Sequence, residues 1–156
     1  MSSILTVKNL YLNIKSNNKE EKILKNINFE INTSEVVSLI GESGSGKSLT
    51  ALSIIRLLEK SCFIKDGEII FTKKNILKIQ EKEMREIRKN DISMIFQEPM
   101  RSLNPVMNIY NQVEESFENK KNINSSKKII NLLISVGIRD AERVINLYPH
   151  QLSGGM

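Results

Sequence analysis

The stretch Glu35-Val36-Val37-Ser38-Leu39-Ile40-Gly41-Glu42-Ser43-Gly44-Ser45-Gly46-Lys47-Ser48-Leu49-Thr50-Ala51 decides the reading of this chain. Its first six residues are rich in β-branched and apolar side chains and end at a glycine, the pattern of a buried strand feeding a loop. Its last residues open a helix, because Ala51, Ile54, Ile55 and Leu58 fall at i, i+3, i+4 and i+7 and form one apolar stripe. Between them, Gly41 to Ser48 satisfies G-x-x-x-x-G-K-[ST]. Successive amides of such a loop converge on one point in line with the positive end of the following helix, and anionic phosphate oxygens bind there.

Working outward, glycine placement carries more information than charge. The chain has seven glycines in 156 residues, and five sit in two short strings, Gly41, Gly44 and Gly46 in the loop and Gly154 and Gly155 in Leu152-Ser153-Gly154-Gly155-Met156. In a glycine-poor chain such clusters mark places where the backbone itself has a task. The net charge of +5 favours anionic partners in general, but the lysines are dispersed and identify none. A 40% hydrophobic, 26% charged composition rules out a disordered tail. The longest nearly apolar run, Ile129 to Ile138, is well short of the roughly 18 residues needed to span a bilayer. The lone Cys62 leaves no internal disulfide, the start carries no export-signal pattern, and a cytoplasmic location is expected.

Local patterns fill in the rest. Ile4 to Ile14 and Ile23 to Ile31, parted by a polar turn at Ser16 to Glu21, predict an antiparallel hairpin. Gly67 to Phe71 and Ile92 to Phe96 predict strands, and Glu81 to Lys89 a charged helix with a Glu81 to Arg85 pair one turn apart. Past Pro105 the character is helical, with Ile129, Leu132, Leu133 and Val136 as a stripe that Gly137 ends. A core of about residues 1–99 and a helical lobe of about 100–156 are expected.

Two further strings select a family. Met94-Ile95-Phe96-Gln97-Glu98-Pro99-Met100, continuing Arg101-Ser102-Leu103-Asn104-Pro105, resembles the Q-loop of ATP-binding-cassette (ABC) transporter ATPases in the form found in peptide and nickel uptake, and Tyr148 to Met156 resembles their signature motif. The resemblance runs from about Leu5 onward and implies an α/β P-loop NTPase core with an antiparallel β subdomain and the start of a helical subdomain. It implies an ATP-binding subunit that energises import of peptides or a related small solute. Gly41, Glu42, Ser43, Gly44, Ser45, Gly46, Lys47, Ser48 and Leu49 would wrap ATP, with Lys47 on the β- and γ-phosphates and Ser48 on Mg²⁺. Gln97 would sit near the γ-phosphate and Mg²⁺ as a coupling and catalytic residue. Ser153, Gly154 and Gly155 would close on the nucleotide held by a second, head-to-tail ATPase subunit. A membrane-embedded permease is the expected partner and places the chain on the inner face of the membrane; no nucleic-acid partner is expected, since the Gln97 to Pro105 string favours transport over DNA-repair and translation cassettes.

Departures from the family pattern are equally specific. Ile14 stands where the family stacks an aromatic residue on adenine, and Tyr11, three residues away, is expected on the other face of its strand; Ile14 also reads as ordinary strand packing. The apolar strand ending in Asp, the water-polarising Glu and the switch His that the family places after its signature do not occur before Met156. Asp66, Asp91 and Asp140 end no apolar strand, Glu98 precedes Pro99 in a motif that assigns the work to Gln97, and His150, upstream of the signature, reads as a cap or packing residue. The expectations are a truncated cassette with exposed apolar edges and negligible turnover by these residues alone. The alternative is a catalytically inert module that binds a nucleotide or a partner. A soluble P-loop kinase is disfavoured by Leu152 to Gly155.

Overall fold

The structure is a computed structural model that describes residues 2–16, 19–117 and 125–156. The chain divides into two compact units, Met1–Ser93 and Met94–Met156.

The first unit is built on a four-stranded antiparallel sheet in the order β2-β1-β3-β4, with β1 Ser3–Ser16, β2 Lys19–Asn32, β3 Cys62–Phe71 and β4 Lys74–Asn75. The expected hairpin is present, pairing Leu5 with Ile31, Val7 with Phe29 and Leu12 with Leu24; residues 17 and 18 of its turn lie outside the described residues. β1 is the central strand, also pairing Leu5 with Phe71 and Val7 with Ile69 of β3. Its alternation is interrupted by register shifts around Leu10, Leu12 and Asn13, so the adjacent Leu12 and Asn13 are both buried. Tyr11 and Ile14 are both half-buried, and the strict period that sets them on opposite faces does not run unbroken between them.

One face of this sheet makes the core. Leu5, Val7, Leu10 and Leu12 of β1, Leu24 of β2 and Ile69 and Phe71 of β3 pack with Ile76 and with Met84 and Ile87 of α2, Glu81–Asn90. The predicted Glu81 to Arg85 pair is present at 3.8 Å, but the tighter partner of Glu81 is Arg88, at 2.8 Å. Helix α1, Lys47–Ile54, follows the glycine loop as expected, but it ends before Ile55 and Leu58 of the predicted stripe, and its buried residues are Thr50 and Ser53.

Two expected strands are absent. Glu35 to Ile40 and Ile92 to Phe96 have no strand structure, and no strand among the described residues pairs with either. A strand exists through hydrogen bonds to a neighbour, and without one a β-rich sequence remains an irregular extended segment. Its apolar side chains stay in solvent: Val36 is 94% and Ile40 95% exposed, and Ile95 is 90% exposed.

The second unit is helical, with α3 Ile109–Glu114, α4 Ser125–Ser135 and α5 Ala141–Val144 and short 3-10 turns at Pro99–Ser102 and Pro149–Gln151. Its core joins Ile109, Ile129, Ala141 and Val144. The start of α3 is tied to the segment after α5 by Ile109 N–H to Leu147 O at 2.9 Å and Tyr110 N–H to Ile145 O at 2.8 Å. Helix α4 ends at Gly137 as expected, in a closure where Gly137 N–H donates to Ile134 O and Ile138 N–H to Leu133 O. Residues 118–124 lie outside the described residues.

Two outcomes follow for stability. Ile69→Ala, which opens a void beneath a fully buried side chain, is expected to cost about 2–5 kcal/mol, read as a lowered urea midpoint at unchanged m-value. The Arg88 guanidinium hydrogen-bonded to Glu81 holds that carboxyl below its ordinary value of 4.5. A lowered carboxyl stabilises fully above its unfolded-state value, and the contribution fades as pH falls through the folded-state one. The stability gap between the native chain and Glu81→Gln is therefore expected to narrow on acidification below about pH 4.5 in urea titrations; a gap that widens contradicts the pairing.

Candidate nucleotide site

The glycine loop lies wholly in the first unit and runs from the end of segment 35–40 into α1. Two of its glycines have positive φ, Gly44 at 81° and Gly46 at 91°. At Gly46 the left-handed backbone coincides with close packing, because a Cβ there would stand 2.4 Å from Cδ2 of Leu24, itself buried in the hairpin. Leu24 thus sets how near the loop lies to the sheet. No pattern in the loop points to it, and Leu24, the one buried residue of β2, stands out of phase with the half-buried Ile27, Phe29 and Ile31.

Gly46 is the N-cap of α1 and provides no side-chain cap. The first backward hydrogen bond is Thr50 N–H to Gly46 O at 2.8 Å, so the amides of the helix's first turn are left for solvent or an anion. Within the loop, Ser45 N–H donates to Glu42 O at 3.2 Å. The Lys47 ammonium folds back over it, donating to Gly41 O at 2.8 Å, Glu42 O at 2.6 Å and Ser45 Oγ at 3.3 Å. These are neutral acceptors in an exposed setting, and anionic phosphate oxygens are stronger ones. Thr50 Oγ1 and Ser53 Oγ bond back to Gly46 O and Leu49 O, at 3.0 and 2.7 Å.

The donor set therefore fits a triphosphate with a magnesium ion: uncapped amides at a helix N-terminus, one ammonium held only by neutral oxygens, and the Ser48 hydroxyl beside them in sequence. No group of three or more His, Cys, Asp or Glu side chains arranged to hold a metal occurs among the described residues.

The remaining sequence-selected residues belong to the second unit. Gln97 is exposed and, among the described residues, makes no hydrogen bond. Its neighbour Glu98 is ion-paired with Arg101. Ser153, Gly154 and Gly155 are exposed and follow the Pro149–Gln151 turn, where Tyr148 N–H donates to Gln151 Oε1 at 2.9 Å. Met156 N–H donates to Ser153 O at 2.9 Å and folds the string into a turn. His150 stacks on Tyr148 with ring centroids 5.9 Å apart, a packing role. Sequence reading missed Gln112, whose amide accepts from Asn104 N–H at 2.8 Å and donates to Asn104 O and Met107 O at 3.0 and 2.8 Å. That clamp holds the Asn104 to Met107 loop on α3. A glutamine five residues past a loop carries no local signal of such a task.

Known proteins resemble this chain in sequence and in fold. The family model described as "ABC transporter" matches residues 24–156. The chain is 42% identical over 157 aligned positions to the dipeptide transport ATP-binding protein DppD of Lactococcus lactis, covering 98% of this chain and 45% of that protein. It is 38% identical over 160 positions to the oligopeptide transport ATP-binding protein OppD of Bacillus subtilis, covering 100% of this chain and 45% of that protein. The chain thus spans a little under half the length of these relatives. Among solved structures, the dimeric ATP-binding cassette MJ0796 bound to ADP and Pi matches with a TM-score of 0.79 and 27% identity over 97% of this chain and 64% of that one. CbiO1 of Clostridium perfringens, part of the ABC transporter complex cbiONQ, matches with a TM-score of 0.72 at 27% identity over 99% of this chain and 57% of that one. With a family model matching residues 24–156 and cassette structures reproducing the fold, the chain belongs to the ABC transporter ATP-binding family.

Proposed function

We propose that this chain is the nucleotide-gripping part of an ATP-binding subunit that energises peptide import through a membrane permease. The carrying observation is the loop at residues 41–48: an uncapped helix N-terminus with Lys47 folded over the loop that precedes it. The relatives' names supply the solute class, dipeptides and oligopeptides. Gly41 to Leu49 hold the triphosphate, with Lys47 exchanging loop carbonyls for β- and γ-phosphate oxygens and the Ser48 hydroxyl taking a place on Mg²⁺. The bound metal offsets phosphate charge.

The other assignments rest on the family resemblance. Gln97 is proposed as the residue that couples nucleotide state to the helical lobe, and as a ligand to the same Mg²⁺. Ser153, Gly154 and Gly155 are proposed to meet the nucleotide of a second, head-to-tail subunit, a reading supported by the dimeric form of the MJ0796 cassette. No helix among the described residues is long and apolar enough to cross a membrane, so attachment to the membrane's inner face is proposed to run through the permease, gripped by the lobe of about residues 100–156. In a polypeptide of the relatives' full length, segments 36–40 and 92–96 are proposed to be strands of a central sheet; their uncovered Val36, Ile40 and Ile95 support this.

A second reading is a module that binds a nucleotide without turning it over. The two are separated by measuring binding and hydrolysis together. Titration calorimetry is expected to show magnesium-dependent ATP binding that Lys47→Ala weakens by at least tenfold, and phosphate release measured alongside it tells the two readings apart. Magnesium-independent binding, or binding indifferent to Lys47, contradicts the proposal.

The loop's geometry yields a paired outcome. Gly46→Ala combines φ 91° with a 2.4 Å approach to Leu24, whereas Gly44→Ala has φ 81° and open space around the new Cβ. Gly44→Ala is expected to cost about 1–2 kcal/mol of backbone strain, and Gly46→Ala more, with greater loss of ATP affinity. Equal effects on midpoint and affinity overturn the ranking.

A further inference from the structure

Helix α1 has little of its own to hold it in place. It is eight residues long, about 12 Å, and a helix of two turns is not stable alone. Thr50 and Ser53, its buried residues, bond back to helix carbonyls, which weakens rather than stiffens a helix. Its last turn contains no basic residue to answer the negative end of the helix dipole.

The answer comes from α2. Arg88 Nε donates to Ile55 O at 2.7 Å and Nη2 to Arg56 O at 3.5 Å, so a guanidinium lies on the carbonyls that close α1. The other edge of that guanidinium faces Glu81, Nη1 to Oε1 at 2.8 Å and Nη2 to Oε2 at 3.4 Å. Arg56 itself has φ 52°. It closes the helix with Arg56 N–H to Ser53 O at 3.2 Å and Leu57 N–H to Leu52 O at 3.0 Å, a position usually taken by glycine. It is held there by Nη1 donating to Ile76 O and Ile79 O at 3.1 and 2.9 Å and by Nη2 at 3.5 Å from Glu81. The side chains of Arg88 and Arg56 are 18% and 25% exposed. Two partly desolvated cations share one carboxylate, and the carbonyls take the remaining donors.

We propose that Arg88 is a positioning residue for the triphosphate loop: braced by Glu81, it fixes the C-terminal end of α1 and thereby the placement of the Gly46 to Ser48 amides at the other end. This rests on the nucleotide-binding reading above. Arg88 lies at the far end of α1 from the loop and acts only through the helix. The fork of a guanidinium is needed, because one group must reach two carbonyls and both carboxylate oxygens at once.

The test compares Arg88→Gln, Arg88→Lys and Val7→Ala, the last a core substitution in β1 that destabilises the first unit while removing no hydrogen bond of the brace. Each is measured under conditions where it is folded, for Mg-ATP affinity by calorimetry and for amide hydrogen exchange over residues 47–57. Arg88→Gln is expected to weaken Mg-ATP binding by roughly two- to thirtyfold and to speed exchange over that segment, with Arg88→Lys intermediate. Val7→Ala is expected to lower the melting temperature while leaving affinity within twofold. The proposal is overturned if folded Arg88→Gln binds Mg-ATP like the native chain, or if Val7→Ala loses affinity as much for the same loss of stability. A native chain that binds no Mg-ATP sinks the nucleotide reading itself, a result distinguishable from either.

Discussion

Everything specific about this chain depends on leaving backbone donors unpaired in a controlled place. A helix begins at Lys47 with glycine as its cap, and glycine has no side chain with which to satisfy the amides that follow. Most proteins remove such orphans with Ser, Asp or Asn. Here they stand beside an ammonium, and the sheet beneath presses Leu24 against Gly46, where a left-handed backbone coincides with a crowded Cβ position. The hairpin β1–β2 therefore does more than fill a core: it fixes the height of the loop from which α1 starts.

How much of this was legible in sequence differs by element for physical reasons. The hairpin, β3, α1, α2 and α4 were readable because their information is local, residing in alternation, stripes and a terminal glycine at Gly137. Segments 35–40 and 92–96 were read as strands from equally good local evidence, yet neither is one here. Propensity prepares a segment to be a strand; a hydrogen-bonded neighbour makes it one, and none among the described residues supplies it. The loop of 41–48 stood out because its motif bears directly on backbone geometry, and Gly44 and Gly46 do have positive φ. What escaped were contacts across sequence: Leu24 under Gly46, Gln112 clamping Asn104, and Arg88 on the end of α1. Glu81 illustrates the difference, since its i,i+4 partner Arg85 was visible and its closer partner seven residues on was not.

The loop geometry suits anion capture, and the relatives this chain resembles are named for dipeptide and oligopeptide transport. Gln97 and the Ser153 to Gly155 string are exposed and lightly bonded within their own unit. Such residues contribute little to holding that unit together, which suits the roles proposed for them above.

The folded-back ammonium of Lys47 has a consequence for discrimination among nucleotides. Because Gly41 O, Glu42 O and Ser45 Oγ already satisfy it, a ligand gains from this lysine only by outbidding three neutral oxygens. On the nucleotide reading proposed above, a highly charged triphosphate tail would do so, whereas a monophosphate or a lone inorganic anion offers fewer anionic oxygens in return. The resting bonds of the side chain would then act as a threshold, turning a general anion trap into a counter of phosphates.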